Sequence, residues 1–291
     1  MICPTTGMTA TDAPKGAPAA AVPIVTARQY VRPLRGGSQA HLLEANDGYR
    51  YVTKFRNNPQ AMEILANEYL AARIGRDLGL SIPVPVQIEV QREFVRDHPE
   101  LSLRRLSGLE KCATGLAYGS RVPAGPDQPV FDYLPDRILR QVVNQGEWAG
   151  ILLLDQWLAN CDTRQAIFIP TGIDRCHAYF IDHGFCFNAG DWNFLDSPLR
   201  GIYPHHGVYD SVMGWESFEP WLSRIEGYTL TRLQAIADEL PDSWIPGRPR
   251  LRSLIVEIDR RRERLRQRLI AVRGSALRPF RNWVNTDSRA A

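Results

Sequence analysis

Lysine and long apolar segments are the scarcest features of this chain. Only three lysines, Lys15, Lys54 and Lys111, stand among its 35 basic residues, so arginine carries nearly all of the positive charge. No apolar run approaches the ~20 residues that a membrane-spanning helix requires, and the chain does not begin with a basic-then-apolar signal pattern. We therefore expect neither a membrane span nor a secretory leader.

The cysteines are few and show no pairing pattern. The five of them, Cys3, Cys112, Cys161, Cys176 and Cys186, are odd in number and contain no CxxC spacing. This usage favours reduced thiols in a cytoplasmic protein and makes a zinc site a poor explanation. A net charge of +3 does not by itself indicate nucleic-acid binding. A hydrophobic content of 44% over 291 residues is typical of a globular protein with a sizeable core.

Because lysine is so rare, Lys54 calls for a chemical explanation. It lies in the alternating segment from Tyr49 to Phe55, which predicts a strand after a hairpin turn at Asn46-Asp47-Gly48. A compact ammonium fits between phosphate oxygens where a wide guanidinium does not. Just upstream, Gly36-Gly37-Ser38-Gln39 is predicted to join two strands. Such a tip could bring backbone N–H groups close to a phosphate, although ordinary hairpins use glycines as well.

A helix is predicted to begin with an Asn cap at Asn57-Asn58-Pro59 and to end near Gly79. Its helical periodicity places Glu68 in the middle of an apolar face, with Arg73 and Asp77 on the opposite side. A buried carboxylate requires a partner, and Lys54 on the preceding strand is the obvious one. The alternative is that Glu68 reaches the edge of the helix and stays in water.

The stretch from Trp157 to Phe187 predicts a loop, a tight hairpin and a strand end. Asp162 precedes the hairpin and Asp182 follows it, so the two carboxylates should converge. Converging carboxylates are typical of a divalent-cation site or of an acid–base pair. The alternative is structural, with Asp162 capping a turn and Asp182 ending a strand. Asp155 and Asn160 are expected to brace the loop.

Composition divides the chain into four parts. Residues 1–23 predict a disordered tail, because they are rich in Ala, Pro, Thr and Gly and lack periodicity. The glycine- and proline-rich stretch that starts at Gly115 predicts a boundary between an N-terminal lobe, residues 24–118, and a helical lobe, residues 119–275, with a tail over 276–291. Helices are predicted over residues 136–144, 147–158 and 250–272.

Taken in chain order, these features are a glycine-rich hairpin, a strand lysine, a helix glutamate, a boundary, a loop aspartate and a strand-end aspartate. That order resembles the protein-kinase-like fold and, more narrowly, the HipA-like kinases, a bacterial family distantly related to phosphatidylinositol 3/4-kinases. The matching segments cover roughly half of the chain: Gly36-Gly37-Ser38-Gln39, Tyr51-Val52-Thr53-Lys54-Phe55, Asn67-Glu68, Gly79-Leu80-Ser81-Ile82-Pro83, Asn160-Cys161-Asp162 and Ile181-Asp182-His183-Gly184.

The resemblance implies an α+β, two-lobed kinase with a small antiparallel-sheet N-lobe and a mainly helical C-lobe. It implies that Lys54, held by Glu68, neutralises phosphates of ATP near the tip formed by Gly36, Gly37, Ser38 and Gln39. It also implies that Asp162 takes the proton of an acceptor hydroxyl and that Asp182 binds Mg²⁺. The acceptor would be a Ser/Thr-type hydroxyl of a protein substrate that the sequence does not identify, and Ser38 is a candidate for self-phosphorylation.

One position departs from the kinase pattern. Kinases of this type usually carry an Asn five residues after the catalytic Asp, and here that residue is Ile167. Gln165 is the nearest amide and is the predicted second metal ligand. Two alternatives therefore stay open: a pseudokinase or regulatory nucleotide-binding module without transfer, and a nucleic-acid-associated regulator that acts through the basic helix from Arg260 to Arg268. Interleaved acids on that helix favour a solvated, salt-bridged face instead.

Overall fold

The computed structural model describes residues 24–125 and 127–284. The predicted tail over residues 1–23 and the last seven residues, 285–291, lie outside the described residues. The first part of the described chain is built on five strands and one long helix. These are β1 (Ile24–Pro33), β2 (His41–Ala45), β3 (Arg50–Lys54), α1 (Ile64–Asp77), β4 (Pro85–Val90) and β7 (Gly115–Arg121).

The five strands form a closed barrel in the order β1-β2-β3-β7-β4. Four neighbouring pairs are antiparallel, whereas β1 and β4 are parallel and close the barrel through the pairing of Val25 with Ile88. The expectation of a small antiparallel sheet is therefore corrected to a barrel with one parallel pair. Closure removes exposed strand edges, which an open five-stranded sheet would leave to water.

The stretch from Gly115 to Ser120, predicted as the start of a boundary, forms most of strand β7. β7 pairs with both β3 and β4, so it is a central part of the barrel. A Cβ atom at Gly119 would lie 2.4 Å from Cδ1 of Ile88, and glycine therefore serves close packing inside the barrel here. Glycine occurs both in turns and in strands where another group packs closely against the backbone, and the sequence pattern does not distinguish the two cases.

A second small unit lies between β4 and β7. It consists of a short helix, α2 (Arg92–Asp97), and a hairpin of β5 (Ser102–Arg105) and β6 (Gly108–Lys111). In the hairpin Arg104 is paired with Leu109. Hydrogen bonds described below attach it to the glycine-rich tip and to the turn after β3.

Helix α1 begins later than predicted and is more deeply buried. It starts at Ile64, while Asn58 accepts a hydrogen bond from the N–H of Gln60 in the preceding turn. Twelve of its fourteen residues are buried. The predicted solvent side is covered, because Arg73 bonds to Glu239 at 2.6 Å and Asp77 accepts from Arg232 at 2.7 Å.

The remaining chain is mainly helical, apart from one hairpin. Its elements are α3 (Asp136–Leu139), α4 (Glu147–Trp157), β8 (Gln165–Gly172), β9 (Arg175–Ile181), α5 (Trp221–Glu226), α6 (Leu230–Asp238), α7 (Arg248–Arg261) and α8 (Leu265–Arg273). The predicted single helix over residues 250–272 is divided, because a 3₁₀ turn over Arg262–Arg264 separates α7 from α8. The predicted helix over 136–144 is shortened to one turn.

Two apolar cores result from this arrangement. Leu43, Tyr51 and Ile88 belong to the barrel's own core. Leu70 of α1 instead shares the larger core with Trp148 of α4 and the other C-terminal helices. In the sequence α1 stands between the barrel strands β3 and β4, but in space it packs with the C-terminal helices.

The segment after α8 also packs against the helical body. Phe280 is buried, and the N–H of Val284 donates to the carbonyl of Met213 at 2.8 Å. The part of the predicted C-terminal tail that is described, residues 276–284, therefore belongs to the folded structure. Among the helices of the described residues, none has the length and apolarity that crossing a membrane requires.

Candidate active site

Lys54, Glu68 and Asp182 meet between the barrel and the helical body. Lys54 lies at the end of β3, Glu68 on α1 and Asp182 immediately after β9. The Lys54 ammonium donates to Oε1 of Glu68 and, at 2.9 Å, to Oδ1 of Asp182. The other Glu68 oxygen, Oε2, accepts from the backbone N–H of His183 at 3.0 Å. The predicted pairing of Lys54 with Glu68 is thus present, and a residue 128 positions away completes the cluster.

Lys54 and Asp182 stabilise each other's charges. Burial opposes the positive charge, but the carboxylates of Glu68 and Asp182 outweigh it and hold the pKa of Lys54 above its usual range. Burial also opposes ionisation of Asp182, yet the Lys54 ammonium holds the pKa of that carboxyl below its ordinary value. Lys54 and Asp182 are therefore an ion pair at neutral pH.

Asp162 lies in the loop between α4 and β8, and buried polar contacts brace this loop. Arg164 makes a two-pronged contact with the carboxylate of Asp155, at 2.8 and 2.5 Å, and its third nitrogen donates to the carbonyl of Ile181 at 2.6 Å. Asn160 also donates to Asp155 at 2.9 Å. The expectation that Asp155 and Asn160 brace the loop is confirmed. The role of Arg164 was missed, because its partners Asp155 and Ile181 lie on α4 and at the end of β9, and the sequence does not show that these two elements meet at the loop.

The β8–β9 hairpin brings Asp162 and Asp182 to the same end of the hairpin. β8 and β9 are antiparallel, and Gln165 pairs with Ile181. Asp162 therefore enters the hairpin at the end where Asp182 leaves it. Oδ1 of Asp162 accepts from the N–H of Thr163 at 2.7 Å, which orients a carboxylate that stays partly exposed. Gln165 opens β8 with an exposed side chain.

Asn67 holds the segment that follows Asp182, a role that sequence reasoning did not assign. Its side-chain amide donates to the carbonyls of Gly184, Cys186 and Ala189 at 2.8 to 3.1 Å, and its oxygen accepts from the indole of Trp192 at 2.8 Å. Two neighbouring residues of α1 therefore position Asp182. Glu68 contacts the lysine that bonds to Asp182, and Asn67 bonds to the turn that follows Asp182. A buried polar residue beside Glu68 was the available signal.

The glycine-rich tip lies between β1 and β2, as predicted. Gly36 has a φ of +123°, a value that L side chains rarely adopt, and both Gly36 and Gly37 are exposed. Gln39, predicted with them as a cofactor-binding residue, bonds through its side chain to the backbone of Arg104. Its amide therefore holds the tip against the β5–β6 hairpin.

These residues fit a nucleotide and a divalent cation. The side chain of Asp182 is 30% exposed even while its Oδ1 contacts Lys54, whereas Lys54 and Glu68 are almost fully enclosed. A fixed ammonium suits phosphate oxygens, and partly free carboxylate oxygens are the ligands that Mg²⁺ prefers. Lys54 and the glycine-rich tip would hold phosphates, and Asp182 would hold the metal.

Comparison with solved structures indicates the class of fold. The proinflammatory kinase CtkA of Helicobacter pylori aligns with a TM-score of 0.51 and 13% identity, over 82% of this chain and 91% of that one. The Golgi casein kinase with Mn/ADP bound aligns at 0.46 and 12% identity, over 86% and 73%. Fam20 of hydra, solved with sugar, aligns at 0.46 and 11% identity, over 88% and 87%. The likeness to CtkA shows a kinase-like fold.

The family follows from the sequence match. The model of the HipA-like kinase family matches residues 29–273, which is most of the chain. The protein therefore belongs to the HipA-like kinases, and the resemblance that the motifs indicated is confirmed. A comparison with curated proteins found no match.

Proposed function

We propose that this protein is an ATP-dependent kinase that uses Mg²⁺ and transfers the γ-phosphate to a Ser/Thr-type hydroxyl. The observation that carries the proposal is the contact of Lys54 with both Glu68 and Asp182. A buried Lys–Glu ion pair beside a partly exposed Asp matches the arrangement of kinases, in which the lysine binds phosphates and the aspartate binds the metal. The acceptor is proposed to be a protein, and Ser38 on the glycine-rich tip is a candidate for self-phosphorylation.

Each residue has a proposed task in this reaction. When bound, ATP would supply the phosphoryl group and Mg²⁺ would neutralise the negative charge of the phosphates. Lys54, positioned by Glu68, binds phosphate oxygens, and Asp182 holds the metal with Gln165 as the proposed second ligand. Asp162 orients the acceptor hydroxyl and takes its proton, because its carboxylate is held by Thr163 and is partly exposed.

The test compares matched carboxylate-to-amide variants around one hairpin. Purified wild type with labelled ATP and Mg²⁺ should label a generic protein acceptor or itself. Asp162→Asn should lower the rate at least about a hundredfold, because general-base catalysis contributes factors of that size, while Mg-ATP binding persists. Asp174→Asn makes the same change in the exposed turn at the far end of the hairpin and serves as the control. Equal rates in wild type and Asp162→Asn would refute the proposal.

A second candidate is a nucleotide-binding module without transfer. It is favoured by Ile167, which stands in strand β8 at the position where related kinases carry a metal-binding Asn. In that case wild type would bind Mg-ATP but transfer no phosphate. Gln165→Ala separates the candidates further: if Gln165 is the second metal ligand of an active kinase, the variant should weaken both Mg-ATP affinity and transfer, whereas in a binding module that lacks this ligand it should leave Mg-ATP affinity unchanged.

A further inference from the structure

The β5–β6 hairpin contacts two parts of the proposed nucleotide site that lie far apart in the chain. On one side it bonds to Gln39 of the glycine-rich tip, 65 residues before Arg104. On the other side it bonds to Asn57, in the turn between Lys54 and α1. The hairpin therefore connects the two segments between which Lys54 lies.

The side-chain amide of Gln39 bonds to both backbone groups of Arg104, as the backbone of a neighbouring strand would do. The N–H of Arg104 donates to Oε1 of Gln39 at 2.7 Å, and Nε2 of Gln39 donates to the carbonyl of Arg104 at 2.9 Å. Within a strand, the N–H and C=O of one residue point to the same side. Both groups of Arg104 face Gln39, so they point away from β6 and are free of the hairpin's own ladder.

The tip has few other restraints. Its base is closed by the N–H of Leu34, which donates to the carbonyl of Ala40 at 2.8 Å, and the N–H of Gln39 donates to Gly36 at 3.1 Å. Gln39 itself has a φ of +47°, which is uncommon for a residue with a side chain. The two bonds to Arg104 hold it in this conformation from outside the loop.

The opposite side of the hairpin is anchored as firmly. Asn57 donates to the carboxylate of Glu110 at 2.8 Å and to the carbonyl of Lys111 at 2.9 Å, and it accepts from the N–H of Ala113 at 2.9 Å. The guanidinium of Arg105 joins Glu110 to the carbonyl of Asn57. Because this side is fixed next to Lys54, the hairpin can hold the tip at a set distance from the lysine.

We propose that Gln39 is a positioning residue whose clamp on the backbone of Arg104 holds the glycine-rich tip over Lys54 and thereby sets the affinity for Mg-ATP. This inference rests on the proposed function. It differs from the expectation that Gln39 contacts the nucleotide, because its amide is already engaged by protein groups. The β5–β6 hairpin then acts as a brace for nucleotide binding.

The test breaks the clamp from each side. Gln39→Met keeps the length of the side chain and removes its amide. Arg104→Pro removes the N–H donor, and it leaves the β5–β6 ladder intact because that N–H points away from β6. Arg104→Ala is the control, since it removes the exposed guanidinium and keeps the backbone clamp. The double variant Gln39→Met/Arg104→Pro completes a double-mutant cycle.

The readouts are Mg-ATP affinity by calorimetry and amide hydrogen exchange of the nucleotide-free protein. Gln39→Met and Arg104→Pro should each raise Kd about tenfold, and the double variant should be no weaker than either one, because they break the same contact. Exchange of the amides of Leu34 and Gln39 should quicken in Gln39→Met without any nucleotide. Arg104→Ala should stay within twofold of wild type.

Three results would overturn the inference. The first is an unchanged Kd for Mg-ATP in Gln39→Met. The second is a Kd in the double variant that rises by the product of the two single effects. The third is a rise in Kd in Arg104→Ala as large as that in Arg104→Pro. The failure of the proposed function gives a different result. If the wild type binds no Mg-ATP, both the proposed function and this role of Gln39 are refuted. If the wild type binds Mg-ATP and Gln39→Met has the same Kd, only the role of Gln39 is refuted.

Discussion

Lys54 is the residue on which the neighbouring charges of the site depend. It is buried, and its ammonium contacts carboxylates from α1 and from the end of β9. A buried carboxylate without such a partner would be protonated or would destabilise the fold. A guanidinium has the same charge but a wider, forked shape, so arginine, which this chain uses almost everywhere else, would not replace the lysine.

The pKa of Asp182 predicts how stability changes with pH. Because that pKa is lower in the folded protein than the ~3.9 of an unfolded Asp, the ionised carboxylate stabilises the fold at neutral pH. The contribution is lost as the pH falls through the folded-state pKa. We expect the stability difference between wild type and Asp182→Asn to shrink between about pH 5 and pH 3, by at most ~1.4 kcal/mol per pH unit.

Denaturant unfolding at a series of pH values measures this difference. Gln165→Ala changes a neighbouring neutral side chain and is the control, because its stability should run parallel to that of the wild type. A difference between wild type and Asp182→Asn that stays constant from pH 7 to pH 3 would show that the ion pair with Lys54 does not stabilise the fold.

At the scale of elements, the loop between α4 and β8 is held by its own buried ion pair. Arg164 and Asp155 have fully enclosed side chains, and the guanidinium also reaches the carbonyl of Ile181. One side chain therefore fixes the loop that carries Asp162 to the strand that precedes Asp182. This contact links the proposed proton acceptor, Asp162, to the proposed metal ligand, Asp182.

Arg164→Lys is predicted to loosen the loop while it keeps the charge. A lysine cannot reproduce the two-pronged contact with Asp155 together with the bond to Ile181, so the free energy of unfolding should fall by about 2 kcal/mol. Phosphate transfer should slow more than Mg-ATP binding weakens. Arg175→Lys, at the exposed far end of the same hairpin, is the matched control. Wild-type stability in Arg164→Lys would contradict the proposed brace.

At the scale of the whole molecule, the basic residues near the C-terminus serve packing. Arg261 donates to the carbonyls of Trp157 and Gln156 at 2.7 and 3.0 Å, and it also bonds to Asp196. Arg268 contacts the same aspartate, and Arg266 bonds to Glu226 at 2.8 Å. These contacts join α7 and α8 to the rest of the helical body, so several arginines of the predicted basic face are used within the protein.

We therefore expect no specific binding of duplex DNA at physiological salt. Binding to DNA depends on arginines that are free to neutralise phosphates and so release the counterions condensed on the DNA, and here several arginines have carboxylate or carbonyl partners. Fluorescence anisotropy with a labelled duplex at 50 and 200 mM salt measures this. Tight binding that weakens steeply with salt, and that is lost in Arg266→Ala, would contradict the expectation and restore the nucleic-acid alternative.

Much of the local structure and the order of the site residues could be predicted from the sequence alone. Alternation and turn residues predicted β2, β3 and the β8–β9 hairpin, and helical periodicity predicted the burial of Glu68. Each of these patterns reflects the environment of a short stretch of chain. The family resemblance rested on the same few residues, because Lys54, Glu68, Asp162 and Asp182 keep their order.

Only the tertiary structure decided which faces meet. Barrel closure needs β1 beside β4, and the second buried face of α1 needs Glu239 and Arg232 from α6 and its C-terminal end. The clamp of Gln39 on Arg104 joins residues 65 positions apart through backbone groups that no side-chain pattern reveals. Periodicity shows that a residue is buried, but its partner is selected by long-range packing, and the functional geometry depends on that selection.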